Sequence, residues 1–183
     1  MGSMITACED PTREGHTNET PPQTVRCTIN KTPLKLIKDT NAMKWVKTNK
    51  TNPPESMWHD PTIQNQDQQT VAMVWLMYVE TEPPEWMRHD PLLFDKFGYT
   101  LTMYWIFYSE VGTQVPEWMR HDPLVANKRL ITAAMFWIRY NKTDPPEWLK
   151  HSPTFVCDQE GWTLAAVWIM IVKTDPPEWM RHD

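Results

Sequence analysis

The sequence predicts an all-α protein, a helical repeat solenoid of stacked helix pairs with short hairpin loops. Three observations carry that expectation. A Pro-Glu-Trp phrase, Pro84-Glu85-Trp86-Met87-Arg88-His89-Asp90-Pro91, recurs at Pro116 to Pro123, loosely at Pro146 to Pro153, and at Pro177 to Asp183, with a weaker copy at Pro54 to Pro61. Between copies a Thr is followed five residues later by Trp, at Thr40/Trp45, Thr70/Trp75, Thr100/Trp105, Thr132/Trp137 and Thr163/Trp168, with Thr-to-Thr intervals of 30, 30, 32 and 31. From Thr70 on, the segment behind each Thr is strongly apolar, so a single repeat has no means of covering it. Repeats of this length bury such faces by stacking on their neighbours.

The elements follow in chain order. Residues 1–30 have few large apolar residues and much Thr, Glu and Pro. They are expected to be a tag remnant followed by a degenerate capping repeat or a partly disordered arm. Met1-Gly2-Ser3-Met4-Ile5-Thr6 matches a myristoylation pattern, but Met-Gly-Ser ahead of a second Met reads as the remnant of an expression tag. Residues 31–183 hold about five repeats. In each, Thr is expected to cap an inner helix, as Thr70 does before Val71, Ala72, Met73, Val74, Trp75, Leu76 and Met77, a run apolar nearly all round that needs cover on several sides. A short outer helix is expected at the Pro-Pro-Glu signature. There Asp144-Pro145-Pro146-Glu147 offers an Asp N-cap, Pro at N1 and Glu at N3 to close a capping box, and Asp175-Pro176-Pro177-Glu178 repeats it. The His-Asp-Pro that follows ends this helix, since Pro disfavours helical backbone in the residue before it. Extra length falls in the joints: two residues between Ser109 and Val115, one between Pro153 and Thr163, where added chain costs little. Tyr99 to Tyr108 also has the Thr, Tyr, Trp, Ile and Phe content of a strand, but the regular Pro-Pro-Glu caps favour the helical reading.

Composition narrows the functional classes. The formal net charge is −5 and the pI about 5.7, so binding to a phosphate backbone lacks its electrostatic drive and nucleic acid is not expected as a partner. The longest apolar runs, Val71 to Val79 and Leu164 to Val172, are nine residues each, against roughly 20 for a membrane-spanning helix; no membrane association is expected. Three Cys, at positions 8, 27 and 157, make no disulfide framework, and an intracellular, cytoplasmic location follows as the expectation. The Asn-x-Thr sequons at Asn18, Asn30, Asn49 and Asn141 are what an Asn- and Thr-rich chain produces by chance.

The residue pairs that suggest chemistry read as structural. His59/Asp60, His89/Asp90, His121/Asp122 and His182/Asp183 form a series that His151/Ser152 breaks. A metal or hydrolase site needs ligands converging on one point. Stacked repeats instead set equivalent residues roughly 8–10 Å apart, which makes a ladder. Trp45, Trp75, Trp105, Trp137 and Trp168 on the inner helices, and Trp86, Trp118, Trp148 and Trp179 on the outer ones, read as core, each removing about 150–250 Å² from water. Five glycines form no phosphate loop, and Cys157 is a lone thiol in a hairpin. The chain is expected to be noncatalytic and to need no cofactor or metal.

The order Asp-Pro, polar hairpin, Asp-x-x-Gly-x-Thr, inner helix and short outer helix resembles the ankyrin repeat. Asp90-Pro91 with Asp95-Lys96-Phe97-Gly98-Tyr99-Thr100, and Asp158-Gln159-Glu160-Gly161-Trp162-Thr163, carry the resemblance, which covers about residues 31–183. The family's Thr-Pro-Leu-His is replaced by Thr-Val-Ala-Met, Thr-Leu-Thr-Met and Thr-Ala-Ala-Met at 70, 100 and 132. Gly is missing at Gln68 and Leu130, and mostly missing after the inner helix. The helix signatures recur while the hairpins Thr62 to Gln68, Leu92 to Gly98, Leu124 to Leu130 and Thr154 to Gly161 differ, the pattern of a constant scaffold with a variable recognition rim. Resemblance to ankyrin arrays implies that hairpin tips and adjacent helix ends line a concave protein-binding surface. The residues it selects at the tips are Gln66, Asp67, Lys96, Phe97, Tyr99, Lys128, Arg129, Gln159, Glu160 and Trp162. At the helix ends it selects Met77, Tyr78, Phe107, Tyr108, Arg139 and Tyr140. The expected function is a monomeric adaptor that binds another protein. The competing expectations are an enzyme whose chemistry lies in residues 1–30 or in a missing C-terminal extension, and an array that self-associates through its Arg-His-Asp face.

Overall fold

The structure, a computed structural model, describes residues 38–110, 113–152 and 161–181. The expectations placed on residues 1–37, Gly112, Cys157, Gln159, Glu160, His182 and Asp183 lie outside them. The helices are α1 (Asn41–Asn49), α2 (Val71–Val79), α3 (Leu101–Tyr108), α4 (Ala133–Asn141) and α5 (Leu164–Val172). Each precedes a single 3-10 turn, at Glu55–Met57, Glu85–Met87, Glu117–Met119, Glu147–Leu149 and Glu178–Met180. No strand occurs among the described residues, Tyr99 to Tyr108 included. Each helix packs on the next in sequence, α1 on α2 through to α4 on α5.

The Thr caps form as the sequence predicts. Thr40, Thr70, Thr100, Thr132 and Thr163 stand extended, and each Oγ1 accepts from the backbone N–H three residues on, at Met43, Met73, Met103, Met135 and Ala166, satisfying one of the otherwise unpaired donors of the first turn. Four of the five helices stop in a left-handed residue that is not Gly: Lys50, Glu80, Lys142 and Lys173, with φ between 54° and 63°. The exception is α3, in the repeat with extra residues. There Ser109 remains at φ −77° and its Oγ donates to the carbonyl of Trp105 at 2.6 Å. Spare chain takes the place of the tight left-handed exit.

The expected outer helix and its capping box are corrected to a three-residue turn behind an extended Pro-Pro segment. Pro84 sits at φ −52°, ψ 153°, and Pro146 at φ −61°, ψ 155° with no side-chain cap. Two successive prolines hold the first one extended, so a helix cannot begin there. At the far end Arg88 is already extended, φ −70°, ψ 138°, because the next residue, His89, must reach back to Thr70, the cap of its own repeat. One turn is all the space between those two restraints. That turn still plants one side chain fully in the core: Met87, Met119, Leu149 and Met180 are each 0% exposed.

The two Trp rows have different jobs. On the inner helices Trp75, Trp105, Trp137 and Trp168 are buried, and their indole N–H groups donate to the loop that leaves the same helix, to Thr81 and Thr113 carbonyls and Thr143 and Thr174 hydroxyls. Trp86, Trp118, Trp148 and Trp179 are only half-buried, so the expectation of core is corrected for them. They bridge repeats. Trp86 donates to Asn52, Trp118 to Glu82 and Trp179 to Asp144, each at 2.9 Å. Arg88 lies over Trp118 and Arg120 over Trp148, both 5.4 Å from the ring centroid.

The histidines act within a repeat, each tying the turn at its end back to the Thr cap at its start. His89 Nδ1 faces the Asp90 carbonyl at 2.7 Å and Nε2 faces Thr70 Oγ1 at 2.8 Å. A carbonyl can only accept, so Nδ1 carries the proton and Nε2 accepts from the Thr70 hydroxyl. His59 with Thr40, His121 with Thr100 and His151 with Thr132 repeat the link.

Candidate recognition surface

The loops before α2, α3 and α4 are each built on one Asn or Asp. Asn65 Oδ1 accepts from the N–H of Asp67 and Gln69, Asp95 Oδ1 from Phe97 and Tyr99, and Asn127 Oδ1 from Arg129 and Ile131. This short acceptor replaces a backbone turn. The residue two before the cap Thr is left-handed ahead of α2 to α5: Gln68 at φ 58°, Gly98 at 84°, Leu130 at 61° and Gly161 at 83°. The loops therefore keep one geometry where Gly is missing. Successive tips then bond to one another, the N–H of Lys96 to the carbonyl of Asp67 and the N–H of Lys128 to that of Phe97. A Cβ at Gly98 would lie 2.8 Å from Lys128 N, which is why that repeat needs Gly.

On this frame the selected residues divide into two groups. The tips carry Gln66, Asp67, Lys96, Phe97, Lys128 and Arg129, all exposed. Lys96 pairs with Asp67 at 2.6 Å, and the Lys128 ammonium donates to the Lys96 carbonyl. Trp162 is half-buried against the core. Beside the tips lies a cavity of about 290 Å³ lined by Gln69, Met77, Asp95, Phe97, Tyr99, Met103, Tyr104, Phe107, Tyr108, Phe136 and Tyr140. Met77, Phe97, Tyr99, Phe107, Tyr108 and Tyr140 were legible from the sequence as site candidates, and the fold brings them to one place. Tyr78 stands close enough to Tyr108 that, after burial, its hydroxyl and that of Tyr140 push the Tyr108 pKa up. Arg139 is exposed, with its guanidinium 5.9 Å from the Tyr140 ring centroid.

The sequence reading missed the floor of the cavity. Tyr104, Phe136 and Asp95 are 6%, 9% and 3% exposed. Tyr104 donates its hydroxyl proton to Asp95 Oδ2 at 3.0 Å and accepts from Gln69 Nε2 at 2.9 Å. Burial first, then the Asp95 charge, pushes the Tyr104 pKa far above its ordinary value, so the phenol stays a donor. Burial also raises Asp95, against three hydrogen bonds that favour its charged form. Counted from each cap Thr, the cavity lining draws on recurrent positions, Met three after it (Met43, Met73, Met103, Met135) and Tyr eight after it (Tyr78, Tyr108, Tyr140), and on three varied ones: one before it (Asp39, Gln69, Tyr99, Ile131, Trp162), four after it (Lys44, Val74, Tyr104, Phe136, Val167) and seven after it (Lys47, Met77, Phe107, Arg139, Met170). The last three positions change character from repeat to repeat, whereas the Trp five after the Thr never does. That contrast was the available signal.

Among the described residues no group of three or more His, Cys, Asp and Glu could hold a metal ion, and no helix is long and apolar enough to cross a membrane. No family model matches the chain, and no curated protein does.

Proposed function

We propose that this chain is a noncatalytic recognition module, an ankyrin-like solenoid that binds another protein through the concave face formed by its loop tips and the adjacent helix positions. The supporting observation is the division of labour within the repeat. Thr, Trp, His and the Pro-Glu-Trp turn recur and hold the stack, while the variable positions gather on one side around a cavity whose walls are aromatic. Aromatic and Arg side chains, half-exposed over an apolar pocket, are what interface anchors require. Phe97 and Phe107, 54% and 46% exposed, are large apolar groups held out toward solvent where a partner would cover them. The test is retention of a partner from cell extract by this protein beside a variant carrying Phe97→Ala, Tyr108→Ala, Arg129→Glu and Tyr140→Ala, both first shown to have equal helical circular dichroism. A partner held by the first and lost from the second supports the reading. Equal retention places recognition elsewhere.

A further inference from the structure

We propose that the aromatic cavity is a cage for a methylated ammonium group, presented on a lysine side chain of the partner. The proposal rests on the reading of this face as the recognition surface and names what is recognised there. Ring geometry is the first support. Seven of the eleven lining residues are aromatic, and three neighbouring pairs stand steeply to each other: Tyr99 to Phe136 at 73° with centroids 5.4 Å apart, Phe107 to Tyr140 at 84° and 4.8 Å, Phe107 to Tyr108 at 76° and 4.7 Å, while Tyr104 to Tyr108 at 30°, Phe136 to Tyr140 at 39° and Phe97 to Tyr99 at 47° lie nearer parallel. Rings set at these differing angles line the cavity on more than one side, and the electron-rich face of an aromatic ring attracts a cation. Two rings at the rim already take the chain's own cations, Phe97 from Lys96 at 4.9 Å and Tyr140 from Arg139 at 5.9 Å.

Charge is the second support. Asp95 is buried at the cavity with three hydrogen-bond donors and, among the described residues, no ion-pair partner, since Lys96 is turned to Asp67. A cation in the cavity supplies the missing counter-charge. The donor inventory then selects among cations. A primary ammonium brings three N–H groups that carbon rings cannot satisfy, whereas a trimethylammonium has none and is cheaply stripped of water. Size agrees. About 290 Å³ falls just short of the roughly 300–1,000 Å³ of sites that swallow a whole drug-sized ligand, so the cavity suits one head group entering from a chain that lies across the loop tips.

The other repeats supply the decisive variant. Asn65 and Asn127 build the same loop that Asp95 builds, through the same Oδ1 acceptor. Asp95→Asn therefore removes the charge and keeps the turn. Purified protein is titrated, with tryptophan and tyrosine fluorescence as the readout, with tetramethylammonium chloride at constant ionic strength, with choline, and with a peptide bearing trimethyllysine, unmodified lysine or a neutral tert-butyl isostere at one position. The expected result is saturable binding of tetramethylammonium, with the trimethyllysine peptide preferred at least tenfold over the lysine and tert-butyl peptides. Asp95→Asn and Phe107→Leu should each weaken it at least tenfold with unchanged circular dichroism, and Arg139→Gln should strengthen it by relieving repulsion. Equal binding of the tert-butyl peptide, or undiminished binding by Asp95→Asn, overturns the cage, and choline bound as tightly as the trimethyllysine peptide overturns lysine as the source. A partner lost on the four-residue variant above while no cation binds would remove the cage and leave the recognition face standing.

Discussion

At the scale of single residues, the histidines are the parts on which most depends. Each is the far end of a relay that runs from a backbone N–H, through a Thr hydroxyl, to Nε2, with Nδ1–H closed on a carbonyl. Only neutral imidazole fits, because protonated Nε2 would have no lone pair for the hydroxyl. Burial lowers the pKa of His89, His121 and His151 accordingly. The folded value lies below the unfolded one of about 6.5, so the stabilisation is complete above that pH and is lost as pH falls from there toward the folded pKa. Urea unfolding at a series of pH values should show stability declining below about pH 6.5, by at most ~1.4 kcal/mol per pH unit for each histidine. His121→Gln, which keeps an acceptor and cannot titrate, should flatten the slope, and an unchanged slope would remove His121 from the relay. The tryptophans give a second contrast. Trp105→Ala, at a 5% exposed core position, should cost about 3–5 kcal/mol, whereas Trp86→Phe, which loses one exposed hydrogen bond to Asn52, should cost less than about 1 kcal/mol. That the His-Asp pairs are structural was legible from their regular spacing. Their partner was not, since Thr70 lies 19 residues before His89 and no local pattern joins them.

At the scale of elements, what the sequence revealed depended on whether a local rule acts alone. Thr followed by an apolar run became a capped helix in every repeat, because cap and burial favour the same state. The Pro-Pro-Glu signature did not become a helix, because the same prolines that can start one also hold the chain extended, and the His link downstream leaves a single turn. The cavity floor was hidden for a third reason. Tyr104 and Phe136 lie in helices apolar nearly all round, where periodicity marks no face; only comparison of equivalent positions separates them from core. The left-handed exits carry a testable strain. Glu80, exposed at φ 62°, pays the Cβ penalty that Gly avoids, and Glu80→Gly should stabilise the protein by about 0.5–1 kcal/mol in urea unfolding. Gly98→Ala should do the opposite by about 1–3 kcal/mol, combining φ 84° with a Cβ 2.8 Å from Lys128 N. If both substitutions prove neutral, the loop and exit geometry described above is wrong.

At the scale of the whole molecule, the repeats are joined by polar links as well as apolar ones. Tip bonds to tip and outer Trp to the preceding loop, while each helix shares its apolar sides with the helices packed against it. The side that bears the cavity is where the repeats differ most, and it is there that we propose a partner is held. The most direct measurement places a photo-crosslinking residue, p-benzoylphenylalanine, at Phe107 on the cavity rim and, separately, at Trp118 in the bridging row, and irradiates both in cell extract. The expected result is one discrete crosslinked polypeptide from position 107 and none from position 118. A discrete adduct at 118 with nothing at 107 would contradict the claim.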